Sequence, residues 1–279
     1  MSATAFAIVL LAAAVHAGWN VLVKASADTR IAAFTFAMTA AALAAVIVPF
    51  VALPAPGAWP FLFASATVQI SYFVALSASY RAADMSLAYP VMRGSAPMLV
   101  ALATPWLGDP PLSPAGWLAI AVICAGILLM AVPSRGARAS GRGLAMALGT
   151  AVLIASYTLI DGAGVRRSGH ALAYTLWLSL LTGIPITLWL IARHRAALTA
   201  FLRKRWRLAV AGGVGSFIPY GLSLWAMTQA PVALVAALRE SSVVFGTALS
   251  VLVLGESVSP RRVLAALVIL SGAIAIRLA

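Results

Sequence analysis

The strongest constraint in this chain is where it carries no charge. Residues 1–23 contain no Asp, Glu, Lys or Arg, and neither do residues 31–80. Further uncharged blocks cover 94–108, 110–134, 143–160, 168–192, 208–238, 241–255 and 263–276. A helix that crosses the hydrocarbon of a bilayer needs about 20 mostly apolar residues. With 63% hydrophobic and 9% charged residues in a chain of 279, too few charges are present to solvate a soluble globule of this size. A soluble enzyme, a disordered chain and a disulfide-framed secreted domain are excluded; the last fails because Cys124 is the one cysteine. The net charge of +13 sits between apolar blocks, the pattern of loops facing anionic lipid, so no nucleic-acid partner is expected. Residues 1–23 lack a basic leader and a cleavage site, and read as a retained helix rather than a signal peptide.

Prolines and charges divide the blocks. The run Leu53-Pro54-Ala55-Pro56-Gly57-Ala58-Trp59-Pro60 breaks the block 31–80, and Gln229-Ala230-Pro231 breaks the one after Arg207. Arg93 and the pair Arg239-Glu240 must lie within helices, because the flanking pieces are otherwise too short to span. The expected fold is an all-α polytopic membrane protein of ten transmembrane helices, over about 2–24, 31–53, 58–80, 85–107, 114–132, 143–164, 170–192, 207–229, 232–254 and 260–278. The loops after helices 1, 3, 5, 7 and 9 carry Lys24, Arg30, Arg81, Arg135, Arg138, Arg142, Arg193, Arg195, Arg203, Lys204, Arg205, Arg207, Arg261 and Arg262. The opposite side carries Arg166, Arg167 and Arg277. The basic side faces the cytoplasm, which puts both termini outside a bacterial inner (plasma) membrane.

The chain also repeats itself. Tyr72 matches Tyr220, Ala82 matches Ala230 and Ala88 matches Ala236 at one offset; Gly108-Asp109 then matches Gly255-Glu256, Ser113-Pro114 matches Ser259-Pro260, and Gly126 matches Gly272, with the offset shrinking by one residue twice. Five helices is an odd number, so the second copy enters from the opposite face. The expected organisation is therefore two inverted five-helix repeats, 1–134 and 143–279, joined by a cytoplasmic linker at 135–142. That is the architecture of secondary transporters, whose substrate sites lie near the midplane between repeats.

Ionisable groups inside spans are the first site candidates. Arg93 and Arg239 enter antiparallel helices from opposite faces and bracket the midplane, which suits a carboxylate, phosphate or phosphonate held by a guanidinium fork. The alternative is a structural ion pair with Glu240. Glu240 is either that counter-ion, the favoured reading, or a proton carrier. His16, Trp19 and Asn20 share one face of helix 1 at spacings of three and four; an interhelical hydrogen bond competes with a ligand role for His16. Tyr72, Tyr89, Tyr157, Tyr220 and Trp225 offer cavity walls and hydroxyls, or lipid-facing packing. Asp161, near Arg166 and Arg167, reads as an interfacial salt bridge. No metal site is expected, since His170 and His194 have no ligand spacing around them. Pro90, Pro97, Pro105, Pro185 and Pro219 break backbone hydrogen bonds within spans, and Gly126 and Gly272 suit close helix packing.

These motifs resemble the EamA group of the drug/metabolite transporter superfamily. The resemblance rests on His16-Ala17-Gly18-Trp19-Asn20, on Tyr89-Pro90-Val91-Met92-Arg93-Gly94-Ser95-Ala96-Pro97, on Ala230-Pro231 with Leu238-Arg239-Glu240-Ser241-Ser242, and on Leu254-Gly255-Glu256, Ser259-Pro260 and Gly272. It implies two EamA repeats and a central cavity lined by helices 1, 3, 4, 6, 8 and 9. The implied activity is export or exchange of small polar metabolites such as amino acids by alternating access. Import of an anionic metabolite and a non-transporting membrane protein are the other options. A membrane enzyme would need more than the one deep carboxylate, Glu240. No cofactor is expected. The expected partners are a small-molecule substrate and the bilayer, with a proton as the candidate coupling ion; the chain acts as a monomer or homodimer.

Overall fold

The computed structural model describes residues 1–24, 26, 28–131, 140–254 and 259–278. Residues 135–139 of the expected linker and the Gly255-Glu256 turn lie outside the described residues. Ten α-helical segments follow one another: α1 Ala3–Lys24, α2 Thr29–Ile47, α3 Trp59–Ala82, α4 Met85–Ala103, α5 Pro114–Leu129, α6 Gly141–Arg167, α7 Ala171–Met227, α8 Val232–Arg239, α9 Ser242–Leu254 and α10 Pro260–Leu278. No strand occurs among the described residues. Among the described residues, six helical stretches are long and apolar enough to cross a membrane, including Ala3–Val21, Ile31–Phe50, Gly141–Arg167 and Val232–Leu249. Their outer surfaces suit hydrocarbon: Phe50, Leu118 and Leu188 stand exposed at 85%, 65% and 62%, a surface that water does not tolerate over a whole molecule.

Local sequence explains most helix starts. Ser113 caps α5, its Oγ accepting the Gly116 N–H at 3.0 Å, with Pro114 in the first turn where no donor is lost. Ser140 caps α6 in the same way through Gly143 at 3.0 Å. Two segments differ from expectation. The two helices expected over 170–192 and 207–229 form one 57-residue path, α7, with non-helical backbone at His194 and Arg205. The basic stretch between them is itself helical; Leu198 is buried against Ile31, Ile186 and Leu190, while Arg195, Arg203 and Lys204 are exposed. The helix expected over 232–254 is interrupted at Glu240 and Ser241, which separate α8 from α9.

The connections meet in two groups. In one, the Ala55 N–H donates to the Ser168 carbonyl at 3.0 Å, and Arg166 at the end of α6 reaches the Met227 and Ala230 carbonyls at 2.8 and 3.1 Å. Arg166 also pairs with Asp109, whose other oxygen accepts the Val232 N–H at 3.0 Å. In the other group, the Ser140 hydroxyl donates to the Ala82 carbonyl at 3.4 Å, and Arg261 donates to the Leu129 carbonyl at 2.8 Å.

Close helix approaches rest on small residues. α5 lies along α10 with Gly126 and Gly272 at the crossing. A Cβ on Gly126 would stand 2.8 Å from Ile269 Cγ1 and 3.1 Å from the Ile269 nitrogen; one on Gly272 would stand 2.6 Å from Ile123 Cγ1 and 3.0 Å from the Ala119 carbonyl oxygen. The contact is reciprocal, each glycine receiving the isoleucine three residues before the other. Gly94 seats α4 on α5 likewise, since a Cβ there would meet Leu128 Cγ at 2.9 Å and the Cys124 carbonyl at 3.3 Å.

Candidate functional site

α4 carries Arg93 between two prolines, Pro90 and Pro97. Proline has no N–H, so Pro97 leaves the Arg93 carbonyl, and Pro90 the Ser86 carbonyl, without the usual helical donor. The helix is therefore polar on its backbone as well as at Arg93. Opposite it, α8 ends at Arg239 and the chain tightens. The Glu240 N–H donates to Ala237, Ser241 to Leu238, Val243 to Glu240 and Val244 to Ser241, all three residues back and at 2.9–3.0 Å. The Ser241 hydroxyl also takes the Leu238 carbonyl at 2.7 Å. Three-residue spacing in mid-helix is a tighter turn with poorer geometry, typical of hinges. The two charges suit the break, with Arg239 in the last turn of α8 and Glu240 just before the first turn of α9.

The break puts Glu240 against Arg93. Arg93 Nε lies 2.8 Å from Glu240 Oε2, with the side chains 8% and 3% exposed. The N–H is not aligned on that oxygen, and Arg93 Nε, Arg93 Nη2, Arg239 Nε and Glu240 Oε2 are buried without a hydrogen-bond partner. The attraction is thus one of charge rather than a directed hydrogen bond. Arg239 stands over the Tyr220 ring, 5.7 Å from its centroid. Glu240 and His16 each lie within electrostatic reach of both arginines. Tyr72 and Tyr89 lie within reach of Arg93.

His16 has a defined role for each ring nitrogen. Trp19 Nε1 is a donor only and points at His16 Nδ1 at 3.0 Å, so Nδ1 accepts and the proton sits on Nε2. The rings meet edge to face at 5.4 Å, and Asn20 Nδ2 donates to the His16 carbonyl at 3.0 Å. The hydrogen bond that competed with a ligand role for His16 is thus made within α1, not between helices. Asn20 is spent on its own helix.

Two placements depart from the sequence reading. Asp161 is fully buried and forms no salt bridge with Arg166 or Arg167. It accepts the Tyr174 hydroxyl on Oδ1 at 2.9 Å, and on Oδ2 the Tyr220 hydroxyl and the Gln69 amide, the latter at 3.2 Å. Arg166 goes to Asp109, and Arg167 lies over the Phe61 ring at 4.7 Å. Trp225 lines a surface cleft of about 470 Å³ with Arg166, His170 and Gln229. A second cleft, about 390 Å³, is lined by Arg81, Arg142 and Met146 at the other group of connections. Neither reaches Arg93 or Arg239. Sequence reasoning missed Gln69 and Tyr174. The signal for Gln69 was present: Ser65, Gln69 and Tyr72 lie four and three residues apart, on one face of α3, and Gln69 Nε2 does donate to Ser65 Oγ at 3.1 Å.

Residues 141–278 match the model of the EamA-like transporter family. The chain carries an EamA-like transporter family domain. This EamA domain spans α6 to α10 and so supplies Asp161, Tyr220, Arg239 and Glu240. Proteins of this family are membrane transporters rather than enzymes. Among solved structures, 27 chains match. One crystal structure aligns with 100% of this chain and 98% of its own at a TM-score of 0.78 and 20% identity, a likeness of fold alone. No curated protein matches the chain. No group of three or more His, Cys, Asp or Glu able to hold a metal ion occurs among the described residues.

Proposed function

We propose that this EamA-domain chain is a secondary active transporter of small polar metabolites bearing an acidic group, amino acids foremost. It works as an exporter or exchanger by alternating access around the Arg93–Arg239 site. The observation that carries this reading is the set of buried guanidinium nitrogens, Arg93 Nη2 and Arg239 Nε, that have no hydrogen-bond partner among the described residues. Buried donors are expensive to leave unpaired, so a ligand carboxylate there satisfies groups the fold does not. The neighbouring interruption at Glu240–Ser241 has the form of the discontinuous helices that frame transporter sites.

Ten crossings in two inverted repeats, 1–134 and 143–279, fit the same reading. The reciprocal contact of Gly126 and Gly272 with Ile269 and Ile123 is what a two-fold relation between the halves produces, because Ile123 and Ile269 stand at the same offset as the glycines. The location is the inner membrane of a bacterium with the basic loops inside.

Uptake of a labelled amino-acid mixture into proteoliposomes tests the reading. Counterflow in the parent protein, reduced at least tenfold in Arg239→Ala and in Arg93→Ala, is expected. Normal transport by both variants would remove the guanidinium site from the mechanism.

A further inference from the structure

We propose that Asp161 is a proton-binding site coupled to Arg239 through Tyr220, so that a proton on Asp161 and an acidic ligand on Arg239 favour one another. The inference deepens the transporter reading and rests on it for the ligand.

Four ionisable side chains lie buried in the same region: Arg93, Arg239, Glu240 and Asp161. Glu240 contacts Arg93 directly. Asp161 touches no cation among the described residues. Its partners are the Tyr174 and Tyr220 hydroxyls from α7 and the Gln69 amide from α3; Ser65 of α3 is bonded to that amide. Tyr157, on the same helix as Asp161, faces Tyr220, and Arg239 of α8 lies across the Tyr220 ring. Tyr220 is thus the one residue that bonds the acid with its hydroxyl and receives the cation on its face.

This cluster accepts either protonation state of Asp161. With the acid ionised, Tyr220 donates to Oδ2. With it protonated, Oδ2–H donates and the phenol oxygen accepts; Gln69 Nε2 stands 3.2 Å from that oxygen and divides its two N–H groups among Ser65, Asp161 and Tyr220. The proton comes from water and adds to Oδ2; the one covalent bond formed is the new O–H, and the Tyr220 O–H turns away from Oδ2 as the hydrogen bond between the two oxygens reverses. Its consequence is electrostatic. With both acids ionised, the four charges cancel; with a proton on Asp161, one positive charge is left over at Arg239, and a ligand carboxylate or phosphate restores the balance. Asp161 and the ligand's acidic group therefore compete for the same cation, and proton binding decides the competition.

Infrared difference spectra of the purified full chain between acid and alkaline buffer test the site without any ligand. A protonated-carboxyl band is expected in the parent protein, lost in Asp161→Asn and kept in Glu240→Gln. In Tyr220→Phe, which removes a hydrogen-bond partner and not the acid, the band is expected to move in frequency and midpoint. Absence of the band in the parent, its survival in Asp161→Asn, or its loss in Glu240→Gln would overturn the proposal. Should Asp161→Asn fail to fold, a band unmoved by Tyr220→Phe does so. A second arm measures counterflow of the labelled amino-acid mixture across the same pH range. Failure of all counterflow in the parent refutes the transporter reading and leaves the proton site standing. Counterflow that is pH-dependent in the parent and equally so in Asp161→Asn refutes the coupling.

Discussion

Removing the carboxylate of Glu240 isolates a cation in the membrane interior. The partner is Arg93, 2.8 Å away, and the two side chains are 8% and 3% exposed, so solvent cannot take over the charge. Loss of one member of a buried pair costs about 3–5 kcal/mol, mostly as the penalty for the charge left behind. At about 2–4 °C per kcal/mol for a chain of somewhat smaller size, Glu240→Ala is expected to lower the melting temperature by on the order of 10 °C. The penalty belongs to the orphaned arginine and not to the missing contact. Replacing both residues by apolar side chains of similar length, Arg93→Met with Glu240→Met, is therefore expected to recover most of the loss. Thermal scans in detergent, followed by size-exclusion chromatography, compare the parent, Glu240→Ala and the double methionine variant. A Glu240→Ala variant within about 2 °C of the parent would refute the reasoning. So would a double methionine variant as unstable as Glu240→Ala, since the pair would then contribute something other than mutual neutralisation.

Three further outcomes follow from the packing. Gly272→Ala is expected to destabilise by about 1–3 kcal/mol, because its Cβ meets the Ala119 carbonyl oxygen at 3.0 Å as well as a side chain; the same thermal scan reads it. Trp19→Phe removes the donor to His16 Nδ1, at a cost of about 0.5–1.5 kcal/mol, and nitrogen NMR of His16 is expected to show mixed tautomers in place of the Nε2–H form. Asp109→Ala frees Arg166 and leaves the Val232 N–H unpaired, and is expected to raise protease access at the 228–231 turn while Arg166→Lys, which keeps the charge and loses the fork, gives a smaller rise.

Helices were legible because membrane helices must exclude charge, although the basic stretch over 193–207 continues as helix within α7 instead of marking an end. The break in the ninth expected helix was not. Leu238-Arg239-Glu240-Ser241 holds neither glycine nor proline; the tightening comes from the Ser241 hydroxyl on its own helix and from the pull between Glu240 and α4, which no local pattern encodes. Asp161 misled for a geometric reason. Arg166 lies five residues on, about 140° around the helix, so nearness in sequence put the two on different faces. Trp225 bears the same relation to Tyr220: a site on α7 that includes one turns away from the other. The arginines themselves were plain, since a charge at that depth has few reasons to be there.

The crossing of α5 and α10 sets a boundary condition on any motion. Two backbones that meet through glycine, each keyed by an isoleucine of the other, are too close for an intervening side chain to yield, so neither helix slides along its partner without collision. Tilting about the contact point remains free. The pair is a fixed post, and α4, seated on α5 through Gly94, is held to that post by the same kind of contact.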